Sequence, residues 1–238
     1  MFVNYAHRGA SSYRPENTMI SFRYGLELGA NGIELDLQKT KDGEIVIFHD
    51  DLIDNKSNGK GKIADYTYAE LLEMDFGAWK GEEFKGTKIC LFEDFAKEFL
   101  CKDLTFAIEF KVAGLEKEAL ELIYKYKTHD KIYVTSFSFE ILETVRKLDK
   151  KIKISWLIQE PIHAENVKKL LSIHGNQISP EAKDVTKEGI ALAEQNGLGV
   201  RLWGVYNEEI MRNVYPLAPE GMTVNFPDKL TALLKEQK

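Results

Sequence analysis

The chain has 238 residues, of which 44% are hydrophobic and 29% are charged, proportions that are typical of a folded globular protein and exclude global disorder. Its 32 basic and 38 acidic residues give a formal net charge of −6, which argues against a broad nucleic-acid-binding surface. A spanning helix needs roughly 18 consecutive apolar residues, and no run of the sequence approaches that length, so we expect no stable membrane insertion.

The two cysteines, Cys90 and Cys101, are too few for a disulfide framework and lack the spacing of a zinc or redox pair. Free thiols suit a reducing compartment. The first ten residues also lack the basic and apolar regions of a secretory signal. We therefore expect a soluble, cytoplasmic protein, and the sequence gives no indication of its oligomeric state.

Short apolar segments alternate along the chain with segments of helical periodicity. The predicted strands are Val3–Ala6, Gly32–Leu37, Thr105–Phe110, Ile132–Thr135, Ile152–Ile158, Gln177–Ser179, Gly199–Val205 and Met222–Asn225. The predicted helices are Thr18–Leu28, Phe92–Leu100, Leu115–Tyr126, Phe139–Leu148, Ala164–Ile173, Lys187–Gln195, Glu208–Val214 and Lys229–Glu236. Eight strands alternating with eight helices predict a TIM-type (β/α)8 barrel, with an open doubly wound sheet as the structural alternative.

One stretch interrupts this alternation. Glu44–Phe48 is predicted to be an additional strand ending at His49, and Asp50–Gly86 is polar, aromatic and irregular. We interpret residues 50–86 as an insertion after the second barrel strand that packs over one rim. Residues 1–238 are accordingly expected to form a single barrel domain.

Charged residues alternate with apolar ones in two of the predicted strands. Glu34 and Asp36 are two residues apart, as are Glu109 and Lys111, so each pair shares one face of its strand. The neighbouring residues are apolar and are expected to face the helices. The charged side chains should therefore face the interior of the barrel at its C-terminal end, where TIM barrels have their active sites.

Three carboxylates in one pocket repel one another unless they are protonated or bind a hard cation. Oxygen ligands suit Mg²⁺, Ca²⁺ or Mn²⁺ rather than zinc. Glu34, Asp36 and Glu109 contribute a charge of −3, and Arg8 and Lys111 reduce this to −1. A divalent cation changes it to +1, which a phosphodiester monoanion would neutralise. The alternatives are solvated strand-end carboxylates and a simple ion pair between Lys111 and Glu109.

Two of the five histidines, His7 and His49, directly follow apolar strand-like runs. Imidazoles at adjacent rim positions are suited to proton transfer near neutral pH, so we interpret them as an acid–base pair. The remaining histidines, which lie in polar turns or at helix ends and are interpreted as structural, are His129, His163 and His174.

Two further features have a structural and a functional interpretation. Pro15-Glu16-Asn17-Thr18 is interpreted as the start of a helix, with Asn17 or Thr18 as its N-cap. Trp203, near the end of a predicted strand, either packs in the core or forms an apolar wall against the carbon skeleton of a substrate.

These motifs, in this order and at barrel-strand spacing, resemble the glycerophosphodiester phosphodiesterase family, and the resemblance extends from His7 to Pro227-Asp228. The motifs that carry it are His7-Arg8-Gly9, Pro15-Glu16-Asn17-Thr18, Glu34-Leu35-Asp36, His49-Asp50, Glu109-Phe110-Lys111, Ser136-Phe137 and Trp203. The resemblance implies a TIM barrel with a small inserted segment. It also implies a divalent cation, Mg²⁺ or Ca²⁺, bound by Glu34, Asp36 and Glu109.

The same resemblance implies a reaction. The implied general acid and base are His7 and His49, and the implied phosphate contacts are Arg8 and Lys111. As in phosphatidylinositol-specific phospholipase C, a hydroxyl of the substrate would attack phosphorus, one histidine removing its proton and the other protonating the leaving alcohol. Water would then open the resulting cyclic phosphate. The products would be glycerol 3-phosphate and an alcohol such as choline, ethanolamine or glycerol.

The sequence departs from the family pattern at four places. They are Asn55-Lys56-Ser57, Cys90, Gly204-Val205-Tyr206 and Val224-Asn225. We expect these departures to leave the metal ligands and the acid–base pair untouched and to alter the pocket for the alcohol group.

Three other functions are compatible with such a barrel. A phospholipid hydrolase of the lysophospholipase D type would need an apolar groove, for which the insertion offers Phe76, Trp79 and Phe84. A non-catalytic barrel that binds a phosphorylated ligand is disfavoured because the histidines and carboxylates are all present. A glycoside hydrolase is disfavoured because Glu34 and Asp36 lie side by side, whereas a glycosidase pair flanks the scissile bond.

Overall fold

The computed structural model describes residues 2–218 and 220–237. The strands are β1 (Val3–His7), β2 (Gly32–Lys39), β3 (Ile45–Ile47), β4 (Cys90–Leu91), β5 (Thr105–Phe110), β6 (Ile132–Ser136), β7 (Lys153–Ile158), β8 (Gln177–Pro180), β9 (Gly199–Val205) and β10 (Gly221–Val224). The helices are α1 (Met19–Glu27), α2 (Tyr68–Leu72), α3 (Phe92–Phe99), α4 (Glu116–Tyr126), α5 (Phe139–Leu148), α6 (Ala164–Ser172), α7 (Lys187–Gln195), α8 (Glu208–Val214) and α9 (Pro227–Glu236). None of the described helices combines the length and the apolar content that crossing a membrane requires.

Eight parallel strands form a closed barrel. Strand β1 pairs with β10 on one side and with β2 on the other, and β5 to β10 complete the ring in sequence order. The predicted (β/α)8 barrel is thus confirmed, and the open doubly wound sheet is excluded because the first and last barrel strands are hydrogen-bonded. All eight predicted barrel strands occur, the one over Gln177–Ser179 included.

The register between strands sets which residues lie side by side. His7 is level with Glu34 across β1 and β2, and Asp36 is level with Glu109 across β2 and β5. Because side chains alternate along a strand, the residues between these point to the other face. On β2 they are Ile33, Leu35 and Leu37, which are fully buried in the apolar shell under the helices.

The segment after β2 is more ordered than the sequence indicated. Strand β3 pairs with β2 in antiparallel fashion, and β4 pairs with β3. Helix α2 is capped by Thr67, whose side chain accepts from the backbone N–H of Glu70. This segment has an apolar core of its own, formed by Val46, Phe48, Ile53, Ile63, Leu71, Phe76 and Ile89. Much of its aromatic and aliphatic content therefore faces inward.

The turn after β1 requires glycine. Arg8 and Gly9 both have positive φ, 55° and 82°. A Cβ atom at Gly9 would lie 2.4 Å from the backbone carbon of Ser21, at the start of α1. Only glycine permits this close approach of backbone to backbone, which brings the end of β1 against the first helix.

Arg146 on α5 ties several backbone segments together. Its Nε donates to the carbonyl of Ile173, Nη1 donates to that of Asp149, and Nη2 donates to those of Ile152 and His174. The guanidinium therefore satisfies carbonyls at the entrance to β7 and at the end of α6, where no helix or strand partner is available.

Replacing Arg146 with methionine should lower the free energy of unfolding by about 2–4 kcal/mol, because partly buried carbonyls lose their donors. Urea unfolding followed by circular dichroism measures this. Lys147→Met, at the exposed neighbouring position, is the matched control and should change stability little. Equal stabilities of the two variants would contradict the prediction.

Candidate active site

A cavity of about 390 Å³ opens at the C-terminal ends of the barrel strands. Seven of the eight site residues predicted from the sequence line it: His7, Arg8, Glu34, His49, Glu109, Lys111 and Trp203. The eighth, Asp36, is fully buried between Glu34 and Glu109 in the same cluster of carboxylates. The fold thus brings together residues that lie up to 196 positions apart in the sequence.

Three carboxylates form the base of the site. One oxygen from each of Glu34, Asp36 and Glu109 lies within 4.8 Å of the other two, and all three side chains are buried. Their proximity follows from the register of β2 with β5, which places Asp36 beside Glu109, and from the two-residue period that returns Glu34 to the same face.

The carboxylates differ in their electrostatic surroundings. Burial, followed by repulsion from Asp36, raises the pKa of Glu34 well above its usual range and raises the pKa of Glu109 to about 7. Burial also disfavours the Asp36 carboxylate, but attraction to Arg8 outweighs it and holds the pKa of Asp36 below its usual range. The ionised forms of Glu34 and Glu109 are thus destabilised, and binding of a proton or a cation would relieve this.

This donor set fits a hard divalent cation. Asp36 Oδ1 is buried and has no hydrogen-bond partner among the described residues. Carboxylate oxygens from three side chains are the ligands that Mg²⁺, Ca²⁺ and Mn²⁺ prefer, and a cation between them would relieve their mutual repulsion.

Glu16, His49 and Asp50 also lie within 4.8 Å of one another, but the carboxylate of Glu16 is already engaged. Its oxygens lie 2.9 Å from Arg8 Nη1 and 3.2 Å from Lys56 Nζ. A carboxylate that is paired with two cations is a poor ligand for a third, so we assign no metal to this group.

Arg8 and Lys111 each contact the carboxylate cluster. Arg8 Nε lies 3.2 Å from Asp36 Oδ2, and the backbone N–H of Arg8 donates to Glu34 over 3.2 Å. Lys111 Nζ lies 3.1 Å from Glu109 Oε1. Burial opposes the charge of Lys111, but Glu109 and Asp36 raise its pKa above the usual value, so both cations remain charged at the cavity wall.

His7 has a defined tautomer. Its Nδ1 donates to the amide oxygen of Asn225, so in the neutral ring Nε2 carries a free lone pair. That Nε2 lies 3.8 Å from Glu34 Oε2. Burial and the neighbouring Arg8 hold the pKa of His7 below its usual range, which keeps the imidazole neutral near pH 7.

His49 has a different partner. Its Nδ1 donates to Asp50 Oδ1 over 2.7 Å, and this hydrogen bond lowers the pKa of Asp50. The two histidines therefore line one cavity with different hydrogen-bond partners, an amide oxygen for His7 and a carboxylate for His49.

The Pro15–Thr18 motif supports the site more directly than the sequence indicated. Thr18 caps α1 by accepting from the backbone N–H of Ser21, as expected. Asn17 donates to Asp36 Oδ2 over 2.9 Å, and Glu16 binds Arg8. These two contacts hold the Asp36 carboxylate and the Arg8 guanidinium in place, and the only sequence signal for them was that Glu16 and Asn17 adjoin the helix cap.

One departure from the family pattern contacts the predicted acid–base pair, so the expectation that the departures leave that pair untouched is wrong at this position. A second departure contacts Glu16, which in turn binds Arg8. Asn225 is the hydrogen-bond partner of His7. Lys56 binds Glu16, and its Nζ lies 3.7 Å from the centre of the Trp79 ring. Both contacts join residues that are distant in sequence, and only the closed barrel places them together.

The mouth of the cavity has an aromatic wall. Trp203 is half-buried, its Nε1 donates to the carbonyl of Ser179, and its ring meets that of Phe137 edge-on at 5.1 Å. Phe137 is 37% exposed and Tyr206 is 57% exposed. Trp203 thus lies at the cavity wall rather than in the core.

Phe76, Trp79 and Phe84 do not form the apolar groove that a lysophospholipase D-type hydrolase would need. Phe76 is buried in the small core of the insertion. Lys56 covers the ring of Trp79, and the guanidinium of Arg14 lies 5.2 Å from the centre of the Phe84 ring. The three aromatic residues stabilise the insertion instead of offering a shared surface.

Comparisons with known proteins agree with this site. The model of the glycerophosphoryl diester phosphodiesterase family matches residues 7–229. A glycerophosphodiester phosphodiesterase of Caldanaerobacter subterraneus subsp. tengcongensis is 32% identical over 240 residues, covering 97% of each chain. Another, of Bacillus altitudinis, is 31% identical over 242 residues, covering 98% of each chain.

Solved structures show the same fold. A phosphodiesterase of Oleispira antarctica, in complex with the product sn-glycerol-3-phosphate, superposes with a TM-score of 0.89 at 23% identity and covers 97% of this chain and 96% of its own. A glycerophosphodiester phosphodiesterase of Agrobacterium tumefaciens has a TM-score of 0.86 at 21% identity, and the match covers 98% of this chain and 100% of the Agrobacterium chain. The family match spans nearly the whole described barrel, and the chain therefore belongs to the glycerophosphoryl diester phosphodiesterase family and is a phosphoric diester hydrolase.

Proposed function

We propose that this protein hydrolyses glycerophosphodiesters to glycerol 3-phosphate and an alcohol, with the help of one divalent cation. The observation that carries the proposal is the convergence of three buried carboxylates, two imidazoles and two cations on one cavity. The names of the relatives and the sn-glycerol-3-phosphate bound to the Oleispira protein support the substrate class.

Glu34, Asp36 and Glu109 are the residues that would hold the cation. When bound, a divalent cation polarises a phosphoryl oxygen and lowers the pKa of an attacking hydroxyl. Arg8 and Lys111 would contact the remaining phosphate oxygens, since each already lies beside the carboxylate cluster. Together they would orient the phosphodiester so that its reacting bond faces the imidazoles.

In the first step His7 would act as the base and His49 as the acid. The free Nε2 of neutral His7 would take the proton from the 2-hydroxyl of the glycerol group as that oxygen bonds to phosphorus. His49, whose Nδ1 donates to Asp50, would give a proton to the alcohol oxygen as its bond to phosphorus breaks. The products of this step are the free alcohol and a cyclic phosphodiester.

The second step would reverse these roles. His49, now neutral, would take a proton from water as the water oxygen bonds to phosphorus. Protonated His7 would return its proton to the 2-oxygen as the ring opens, which yields glycerol 3-phosphate and restores both histidines.

The cation requirement is testable on each ligand. Asp36→Asn, Glu34→Gln and Glu109→Gln should each weaken Ca²⁺ binding by on the order of 100-fold or more, because each removes a charged ligand. Calorimetric titration measures the binding, and release of glycerol 3-phosphate from glycerophosphocholine measures the activity. Chelation of the wild type should abolish that release, and added Mg²⁺, Ca²⁺ or Mn²⁺ should restore it.

Glu118→Gln is the matched control, because this exposed carboxylate forms its ion pair with Lys39, away from the cavity. It should leave cation binding and activity unchanged. Wild-type protein that releases no glycerol 3-phosphate with any of the three cations would refute the proposed function. Retained phosphate binding in such a protein, and in His7→Ala, would indicate the non-catalytic phospho-ligand-binding barrel instead.

The assignment of acid and base is testable with a better leaving group. His49→Ala should slow cleavage of glycerophosphocholine by about 10²–10⁴-fold, but it should slow cleavage of the p-nitrophenyl diester of glycerol phosphate far less, because nitrophenolate leaves without a proton. His7→Ala should be slow on both substrates, since the attacking hydroxyl still needs a base. Initial rates on the two substrates measure this, and the opposite pattern would reverse the assignment.

The exposed aromatic residues at the mouth of the cavity favour a second candidate function, the lysophospholipase D-type activity. Phe137 and Tyr206 are exposed at the mouth and offer apolar contact to a substrate larger than a glycerophosphodiester. We nevertheless expect kcat/KM to be higher for glycerophosphocholine than for lysophosphatidylcholine, because Phe76, Trp79 and Phe84 form no groove for an acyl chain. Choline release from both substrates, measured below the micellar range, tests this. A preference for the lysophospholipid would establish the lysophospholipase D-type activity.

A further inference from the structure

A buried arginine lies in the barrel below the carboxylate cluster. Arg201 is the third residue of β9, and the alternation of that strand turns it to the barrel interior, together with Trp203 two residues further on. Its side chain is only 1% exposed, its guanidinium lies 5.3 Å from the centre of the Tyr5 ring, and it lines the same cavity as Glu34 and Glu109.

The hydrogen bonds of this guanidinium are incomplete. Nη1 donates to Thr223 Oγ1 over 2.6 Å, but Nε and Nη2 are buried without a hydrogen-bond partner in the described part of the chain. Arg146 on α5, the other buried arginine among the described residues, shows the contrast, because all of its nitrogens donate to backbone carbonyls. Burying the N–H donors of a charged group without hydrogen-bond partners costs free energy. An arginine with such donors beside a cavity is therefore suited to bind an anion.

Arg201 also changes the charge of the site. With Arg8 and Lys111 it supplies three positive charges against the three carboxylates, and Asp50 balances the protonated His49 of the proposed first step, so these protein groups sum to zero. A divalent cation brings the sum to +2. That charge matches a phosphate dianion, and it exceeds by one the charge of a phosphodiester monoanion.

We propose that Arg201 is a phosphate-binding residue at the base of the cavity, with Nε and Nη2 donating to non-bridging phosphate oxygens, and that its charge makes the cation-loaded site complementary to a dianion. This rests on the proposed function. A phosphodiester gains its second negative charge when the attacking hydroxyl loses its proton, so the match favours the transition state over the substrate. Glycerol 3-phosphate carries the same charge above pH 7.

The test measures the binding of two ligands, an anion and a cation, whose affinities should change in opposite directions when Arg201 is replaced. Arg201→Met should weaken the binding of glycerol 3-phosphate to the Ca²⁺-loaded protein by about 10- to 100-fold at pH 8, because charge-assisted hydrogen bonds are lost. The same substitution should strengthen Ca²⁺ binding by about threefold to tenfold, because a repelling charge is removed. Its Tm should not fall, since an apolar side chain of similar length replaces an incompletely bonded charge.

Arg201→Lys separates charge from hydrogen bonding. It retains the positive charge, so Ca²⁺ binding should stay within about twofold of the wild type. It loses the planar pair of donors, so glycerol 3-phosphate binding should weaken by about tenfold. This variant decides the question if Arg201→Met does not fold.

Arg146→Met is the matched control, a buried arginine outside the cavity whose loss should lower Tm and leave both affinities unchanged. Unchanged affinity for glycerol 3-phosphate in both Arg201 variants would overturn the inference, as would weaker binding of anion and cation together with a lower Tm, which is the pattern of a structural role. Failure of the wild type to bind either ligand would instead overturn the proposed function.

Discussion

The pairing of β2 with β5 is the constraint on which the site depends. It aligns Asp36 with Glu109, while the two-residue period of the strands returns Glu34 to the same face and leaves the intervening residues in the apolar shell. A shift of one residue would bury the carboxylates under the helices and expose the shell to the cavity, so the apolar core and the acidic cluster specify one register together. Closure through β1 then adds His7 and Arg8 beside them.

The sequence predicted those parts of the structure that follow from periodicity. Apolar alternation marked all eight barrel strands, and the same alternation showed that Glu34, Asp36, Glu109 and Lys111 share the inner face. It did not predict the partners of these groups. The bond from His7 to Asn225 spans 218 residues and exists only because the barrel closes, and periodicity carries no information about such contacts.

The aromatic residues of the insertion, which the lysophospholipase D-type alternative would need for a groove, are engaged elsewhere for a physical reason. Composition shows that apolar side chains are present, but it does not show whether they cover one another, and here Phe48 and Phe76 meet edge-on inside a small core. The contacts that the insertion makes with the site are polar. Lys56, stacked on Trp79, binds Glu16, and Glu16 in turn binds Arg8, so the rim segment supports Arg8 at the cavity wall through two ion pairs.

The contact between the first and last barrel strands has a consequence for biosynthesis. A ribosome releases β1 long before β10, so the nascent chain carries an unpaired strand edge until residues 221–225 emerge. Throughout that interval the ring of His7 lacks its amide partner, and the carboxylates lie in an unclosed sheet. The complete ring, and with it the hydrogen bond between His7 and Asn225, can form only after the last strand has been synthesised.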